Sequence, residues 1–254
     1  MNTPDTQEAT HTLDDGVSLS YAFHPSIHST SSSTSKRKLA LVAHPWGRLG
    51  GTKNDHMVIS TSRMLQREGY DVVRYDSRGS GESEGSASWT ASTEVDDFRT
   101  MLNSVLLPLL PSPSPTSSSP TPVSVLLCGY SFGSLLASSC PPPPSTAQFT
   151  FETSYLLISY PLSVLWALTS FNSSRFTIAL EDRARDGNRV CVVYGDKDQF
   201  SGIAKLRDWS TRLKSMGSTR ADNVRIVEVE GADHFWAKGE TKREALEKVK
   251  EWLE

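Results

Sequence analysis

Six short strand-like runs, most of them nearly continuous in apolar residues, constrain the fold of this 254-residue chain most strongly. They lie at 38–44, 71–76, 123–129, 155–161, 189–195 and 224–231. A strand carries apolar residues on both faces when helices cover both sides of its sheet, which is usual for parallel strands. A further run, 17–25, alternates apolar and polar residues and predicts an antiparallel edge strand.

Helical patterns fill the gaps between these runs, at 54–69, 92–107, 201–217 and 241–254. Three of them have apolar residues at helical spacing, and 201–217 begins with a serine and ends with a glycine. Gly69 is placed to end the first helix. Strands that alternate with helices predict an α/β fold with a doubly wound, mostly parallel β-sheet and helices on both faces. A chain of this length buries a large core without disulfides or metals.

Three stretches rich in serine and proline interrupt the pattern, at 29–36, 111–120 and 140–148. Such composition does not pack a core and is typical of loops. None is long enough to link independent domains. The sequence therefore predicts a single domain, 1–254, with these stretches as surface insertions.

Charge and cysteine usage exclude several classes of partner. The net charge is −3 and neither end carries a basic block, so we expect no nucleic-acid partner and no stable membrane association. The N-terminus, 1–16, is polar and acidic, unlike a secretory signal, and no run of about 18 apolar residues occurs. The three cysteines (Cys128, Cys140, Cys191) lack CxxC spacing, which favours buried thiols in a cytoplasmic protein. No metal-ligand spacing or glycine-rich phosphate loop is seen, so we expect no metal and no cofactor.

The motif G129-Y-S-F-G133 lies between a predicted strand and a helix-compatible segment. In that context G-x-S-x-G forms a nucleophile elbow, a turn so sharp that glycines flank a strained, projecting serine. Ser131 would then be a nucleophile, and the backbone amide of Phe132 would face a developing oxyanion. The alternative is a glycine-rich turn with an idle serine.

A serine nucleophile requires a base and a third group that orients the base. His234 is the one histidine after Ser131, and it directly follows the last predicted strand. Asp196 and Asp198 both follow the strand at 189–195; Asp198 is the favoured acid and Asp196 the alternative. A surface histidine and an aspartate that serves only a turn are the competing interpretations.

These motifs together resemble those of small serine hydrolases of the α/β-hydrolase superfamily, over the chain from "HPWGRLGG" to the C-terminus. G195-D-K-D198 is similar to the family's acid loop, G231-A-D-H234-F to its histidine loop, and "YDSRGSGES" (75–83) to its structural turn after the fourth strand. The resemblance implies the sheet described above and supports Asp198 over Asp196 as the acid.

The resemblance also implies an oxyanion loop at H44-P-W-G47, where His-Pro replaces the usual His-Gly as in a subgroup of small hydrolases. Pro45 has no N–H, so the second oxyanion donor is expected to be the backbone amide of Trp46, with His44 bracing the loop. Only 162–188 occupies the position of the family's lid, which predicts a minimal cap. The residues expected to line an apolar pocket are Leu162, Trp166, Phe200, Phe235 and Trp236.

The expected function is hydrolysis of a small-molecule carboxylic ester, thioester or lactone by a Ser131–His234–Asp198 triad through an acyl-enzyme. The alternative on the same fold and triad is a cyclase, lyase or isomerase that acts on a reactive natural-product intermediate. A binding protein on an inactive hydrolase fold is disfavoured because no triad member is missing. The oligomeric state stays open.

Overall fold

The computed structural model describes residues 5–27, 36–111, 119–217 and 223–254, which form an eight-stranded sheet in the order β1-β2-β4-β3-β5-β6-β7-β8. The strands are β1 Gln7–Thr12, β2 Ser18–His24, β3 Arg37–Ala43, β4 Tyr70–Tyr75, β5 Thr121–Tyr130, β6 Phe149–Ile158, β7 Arg189–Lys197 and β8 Val224–Asp233. Strand β2 pairs antiparallel with β1 and β4, and every other pairing is parallel. The predicted mostly parallel sheet is confirmed.

Seven α-helices lie in the described part of the chain. They are α1 His56–Arg67, α2 Ser92–Met101, α3 Phe132–Ser139, α4 Leu165–Leu168, α5 Ser173–Arg185, α6 Ile203–Met216 and α7 Gly239–Leu253. Helix α2 continues into a π-helical turn, Leu102–Leu106, and a 3₁₀ turn, Leu107–Leu109. None of the helices in these described ranges has the length and apolar composition needed to cross a bilayer.

The sheet separates two apolar cores because alternate side chains of each strand point to opposite faces. In β3, Leu39 and Leu41 pack on the side of α2, α3, α5 and α6, whereas Ala40 and Val42 pack on the side of α1 and α7. Helices on both faces explain why the central strands read as continuous apolar runs.

The structure differs from the sequence predictions at the sheet edge. The run predicted as an edge strand is β2, and β1 covers it, so β1 is the actual edge. The sequence of β1, QEATHT, is exposed or half-buried along its whole length. It therefore carries no apolar signal that would have predicted a strand.

The segment 162–188 is only partly a cap. Helix α5 buries Phe176, Leu180 and Ala184 in the core beside α3 and α6, so it is one of the helices that cover the sheet. The cap is thus narrower than predicted and consists of the residues before α5, including α4. The stretch 140–148 is a loop that leads into β6, while most of 29–36 and 111–120 lies outside the described residues.

Ion pairs, most of them buried, hold the turn after β4, the segment 75–83. Lys53 Nζ donates to Asp76 Oδ2 at 3.1 Å and to Glu82 Oε2 at 2.5 Å, and its side chain is 1% exposed. Arg78 donates twice to the carboxylate of Asp97, at 2.6 and 2.7 Å. Charge-assisted pairs of this kind fix the turn against Lys53, in the loop that follows β3, and against α2.

Candidate active site

Ser131 occupies the turn between β5 and α3 with a strained backbone, at φ 53° and ψ −117°. A residue other than glycine held at positive φ costs about 1–3 kcal/mol and persists where its surroundings fix it. The Ser131 N–H donates to the Ile158 carbonyl at 2.8 Å, and its carbonyl accepts from Ser134 N at 2.9 Å. These bonds tie the turn to the end of β6 and to the first turn of α3.

The two glycines of the motif are required by close backbone approaches rather than by their own φ angles. A Cβ atom on Gly129 would lie 2.0 Å from the Gly133 carbonyl oxygen. A Cβ atom on Gly133 would lie 2.5 Å from the Ala43 carbonyl oxygen and 2.7 Å from that of His44. Strand β5, helix α3 and the end of β3 therefore meet without room for a side chain, which brings Ser131 next to the loop after β3.

Ser131, His234 and Asp198 form one continuous hydrogen-bonded line. His234 Nε2 is 2.9 Å from Ser131 Oγ, and His234 Nδ1 is 2.7 Å from Asp198 Oδ2. All three residues are buried. An ionised carboxylate only accepts hydrogen bonds, so Nδ1 carries the proton and Nε2 is left as the acceptor toward the serine hydroxyl.

Backbone amides orient the carboxylate of Asp198. Its Oδ1 accepts from Phe200 N at 2.8 Å and from Ser201 N at 2.9 Å, which leaves Oδ2 directed at His234. The alternative acid, Asp196, instead accepts from Gly231 N at 2.6 Å and pairs with a neighbouring lysine. The structure thus brings Asp198, and not Asp196, against the histidine.

Two further residues hold the histidine loop, and the sequence reasoning missed both. The Tyr130 hydroxyl donates to the His234 carbonyl at 2.7 Å, and Gln199 Oε1 accepts from His234 N at 2.9 Å. Burial raises the pKa of the Tyr130 hydroxyl, so it stays a neutral donor. Both residues adjoin predicted site residues in sequence, which is the signal that would have pointed to them.

The expected oxyanion donors lie at two helix starts. Phe132 is the first residue of α3, and Trp46 directly precedes the 3₁₀ turn Gly47–Leu49. The first N–H groups of a helix have no intrahelical partner and so are available to an anion. Phe132 directly precedes Gly133, and Trp46 lies two residues after His44, so both residues adjoin in sequence the close contact between Gly133 and the end of β3.

His44 braces the loop that carries Trp46. Its Nε2 accepts from Ser77 N at 2.8 Å, so its Nδ1 carries the proton and donates to the Pro45 carbonyl at 2.5 Å. Burial lowers the pKa of His44, which keeps the ring neutral and able to accept at Nε2. His44 therefore links the loop after β3 to the buried turn after β4.

A cavity of about 130 Å³ opens at Ser131 and His234. Its walls are largely apolar and include Trp46, Leu49, Val164, Leu168, Phe200 and Phe235. Asp55, the residue that caps the start of α1, is the one aspartate or glutamate in the wall. Of these residues, Phe200 and Phe235 belong to the set expected to line a substrate pocket, whereas Trp46, Leu49, Val164 and Leu168 were not in that set.

Three predicted pocket residues do not line the cavity. Trp236, at φ 52°, turns into the core and donates from Nε1 to Ser159 Oγ at 3.0 Å. Leu162 packs against the core beside α5 and α6. Trp166 points outward and is 53% exposed. In the cap, Val164 and Leu168 face the pocket instead. These two residues are four positions apart, a spacing visible in the sequence that places them on one side of a helix.

Within the described ranges, no group of three or more histidine, cysteine, aspartate or glutamate side chains is arranged to hold a metal ion. The cysteines are free and buried.

Comparison with known proteins gives two matches at the level of sequence. Residues 22–103 match the family model of X-Pro dipeptidyl-peptidases (S15 family), and this region ends before Ser131. An uncharacterized protein of Schizosaccharomyces pombe is 22% identical over 218 residues, which cover 85% of each chain.

Solved structures match nearly the whole chain. A serine hydrolase without a lid from Xanthomonas campestris is 20% identical, with a TM-score of 0.64 over 98% of this chain and 95% of the other. An alpha-beta serine hydrolase homologue from Coxiella burnetii is 17% identical, with a TM-score of 0.64 over 97% and 95%. The esterase domain of a Rhodothermus marinus protein is 18% identical, with a TM-score of 0.61 over 98% and 97%.

Proposed function

We propose that this chain, which has the α/β-hydrolase fold, is a serine hydrolase that cleaves carboxylic esters, thioesters or lactones. The observation that carries the proposal is the unbroken line of hydrogen bonds from Ser131 Oγ through His234 to Asp198. A buried serine, imidazole and carboxylate in this order are the arrangement that activates a hydroxyl for attack on a carbonyl.

The geometry supports a two-step acyl transfer. His234 Nε2 takes the proton of Ser131 as Oγ bonds to the carbonyl carbon, and Asp198 stabilises the resulting imidazolium. The amides of Phe132 and Trp46 donate to the oxyanion of the tetrahedral intermediate. His234 then returns the proton to the leaving alcohol or thiol. In the second step a water molecule gives its proton to His234 as it attacks the acyl-enzyme, and His234 passes that proton to Ser131 Oγ as the bond to the acyl group breaks and the acid leaves.

The pocket supports an acyl compound with an apolar group next to the reacting carbonyl. Its walls are mostly apolar, and Ser131 and His234 lie among them. The match to the S15 peptidases ends before Ser131, so it does not support a peptide substrate in particular. The solved structures named above as serine hydrolases and as an esterase domain agree with the proposed reaction class.

Turnover of p-nitrophenyl acetate by three variants tests the proposal. Ser131→Ala should lower kcat about 10³-fold or more, because it removes the nucleophile. Asp198→Asn should lower kcat at least about 10²-fold, because it removes the carboxylate that orients His234. Asp196→Asn is the matched control, since that carboxylate contacts Gly231 and Lys197 instead. Full turnover by folded Ser131→Ala, or equal losses in the two aspartate variants, would contradict the assignment.

Hydrolysis in H₂¹⁸O separates the proposed reaction from a cyclisation or isomerisation on the same triad. The acyl-enzyme is resolved by water, so one ¹⁸O atom should enter the acid product. A product that carries no label and forms only in the presence of active Ser131 would instead favour the non-hydrolytic reaction.

A further inference from the structure

Large apolar side chains on the surface of this protein are concentrated at one place. Among the described residues, those that are at least half exposed are Leu49, Trp89, Trp166, Phe171, Ile178 and Phe235. All except Ile178 lie on segments at the mouth of the candidate active site. We refer to these five residues, Leu49, Trp89, Trp166, Phe171 and Phe235, as the apolar rim.

Contacts between these segments make the rim continuous with the pocket. Leu49 and Phe235 themselves line the cavity. Next to Leu49, the Arg48 guanidinium lies 4.0 Å from the centre of the Trp89 ring, so Trp89 sits against the 3₁₀ turn after Trp46.

The rim extends from Trp89 to the cap. Ser170 Oγ donates to the Trp89 carbonyl at 2.7 Å. The Phe171 ring packs on Trp166 with 5.4 Å between ring centres, and Phe171 N donates to the Trp166 carbonyl at 2.7 Å. Trp166 belongs to α4, whose other side faces the pocket through Leu168.

The backbone that presents Phe171 is strained. Ser170 and Phe171 are consecutive residues at φ 47° and 68°, and neither is glycine. Each such residue costs on the order of 1 kcal/mol or more, yet the result is a phenyl ring that is 81% exposed. An exposed apolar patch next to a cleft is typical of a binding surface.

We infer that the apolar rim binds the apolar chain of a substrate that is too long for the pocket, an inference that rests on the proposed function. The cavity of about 130 Å³ is smaller than the roughly 300–1,000 Å³ that encloses a drug-sized ligand. It holds the reacting carbonyl and a short chain, and the remainder emerges between Leu49 and Leu168 onto the rim. A substrate with a second carboxylate is disfavoured because Asp55, in the pocket wall, would repel that negative charge. The inferred substrate is therefore an ester whose acyl group is a medium-to-long aliphatic or aromatic chain without a charged group.

The ratio of kcat/KM for p-nitrophenyl decanoate to that for the acetate, measured below the micelle concentration, tests the inference. Phe171→Ala and Trp89→Ala should each lower this ratio about fivefold, because part of the surface that covers the chain is lost. Ile178→Ala is the matched control: it removes another exposed apolar side chain, from α5 and outside the rim, and should keep the ratio within about twofold. An unchanged ratio in both rim variants, or an equal fall in the control, would overturn the inference.

A binding measurement that needs no turnover separates failure of this inference from failure of the proposed function. In the Ser131→Ala protein, the affinity for 10-bromodecan-1-ol can be measured from its quenching of tryptophan fluorescence. This affinity should be several-fold weaker when Phe171→Ala is added and unchanged when Ile178→Ala is added. This result would support the rim even if the wild type hydrolysed no ester. Equal affinity of all three proteins, or a decanoate rate that rises only above the micelle concentration, would refute it, the latter in favour of an aggregated lipid surface.

Discussion

Replacing Gly129 by alanine tests how tightly the elbow is built. The new Cβ would lie 2.0 Å from the Gly133 carbonyl oxygen and 2.5 Å from Ser134 N, whereas real Cβ contacts are essentially never below 3.0 Å. The backbones must therefore separate by about 1 Å. Strand β5 is paired on both sides, by β3 and β6, and α3 is packed against the end of β3, so neither relaxes freely. We expect a loss of about 3 kcal/mol in the free energy of unfolding, the upper part of the usual range for overpacking.

A loss of that size lowers Tm by roughly 6–12 °C in a domain of this length, and a displacement of about 1 Å at Ser131 lowers kcat about 10²-fold. Thermal unfolding followed by circular dichroism, with ester turnover below Tm, measures both effects. Gly239→Ala at the start of α7 is the control, because nothing lies within 4 Å of its added Cβ, and its Tm should stay within about 2 °C of wild type. If Gly129→Ala matched wild type in both measurements, the close approach would not constrain the motif.

Three further predictions concern groups away from the elbow. Burial, with the charge of Arg74, lowers the pKa of His24 from 6.5 to about 4. The unfolded chain therefore binds the proton more readily than the folded protein does. The contribution of neutral His24 to the free energy of unfolding is complete above pH 6.5 and is lost as the pH falls toward 4. In His24→Gln the urea midpoint should depend less on pH between 6.5 and 4 than it does in the wild type. Lys53→Met leaves Asp76 buried without its cation and should cost about 3 kcal/mol in urea unfolding, and a loss below about 1 kcal/mol would refute a structural role for the pair. The buried thiols should resist Ellman's reagent in the native protein and all react after denaturation: Cys128, Cys140 and Cys191.

The sequence predicted the central strands and the residues of the hydrogen-bonded line for a common reason. Parallel strands covered on both faces are apolar throughout, and their carboxyl ends meet at one edge of the sheet. Ser131 follows β5, and Asp198 and His234 lie at the ends of β7 and β8. Residues that directly follow such strands are therefore close in space although they are far apart in sequence.

The edge of the sheet could not be predicted in the same way. Strand β1 is exposed and polar, and it exists because its backbone pairs residue by residue with β2, from Gln7 opposite Phe23 to Thr12 opposite Ser18. When neither face of a strand is buried, backbone pairing does not require apolar side chains, so the sequence shows no strand pattern. The cap posed a related difficulty, since α5 and α4 both contain apolar residues and only their packing separates a sheet-covering helix from a pocket wall.

Phe235 and Trp236 show where prediction from residue type ends within the site itself. Both are aromatic, both follow the candidate base, and both were assigned to the pocket, yet Phe235 lines the cavity and Trp236 is 1% exposed. What divides them is the positive φ of Trp236, held by a hydrogen bond from its indole to Ser159 at the end of β6, a residue that itself has φ 51°. That partner lies 77 positions away in the chain and adjoins the loop only after β6, β7 and β8 have assembled. The order of strands and loops thus decides which residues come near the nucleophile, whereas contacts formed by the assembled sheet decide which of them face the substrate.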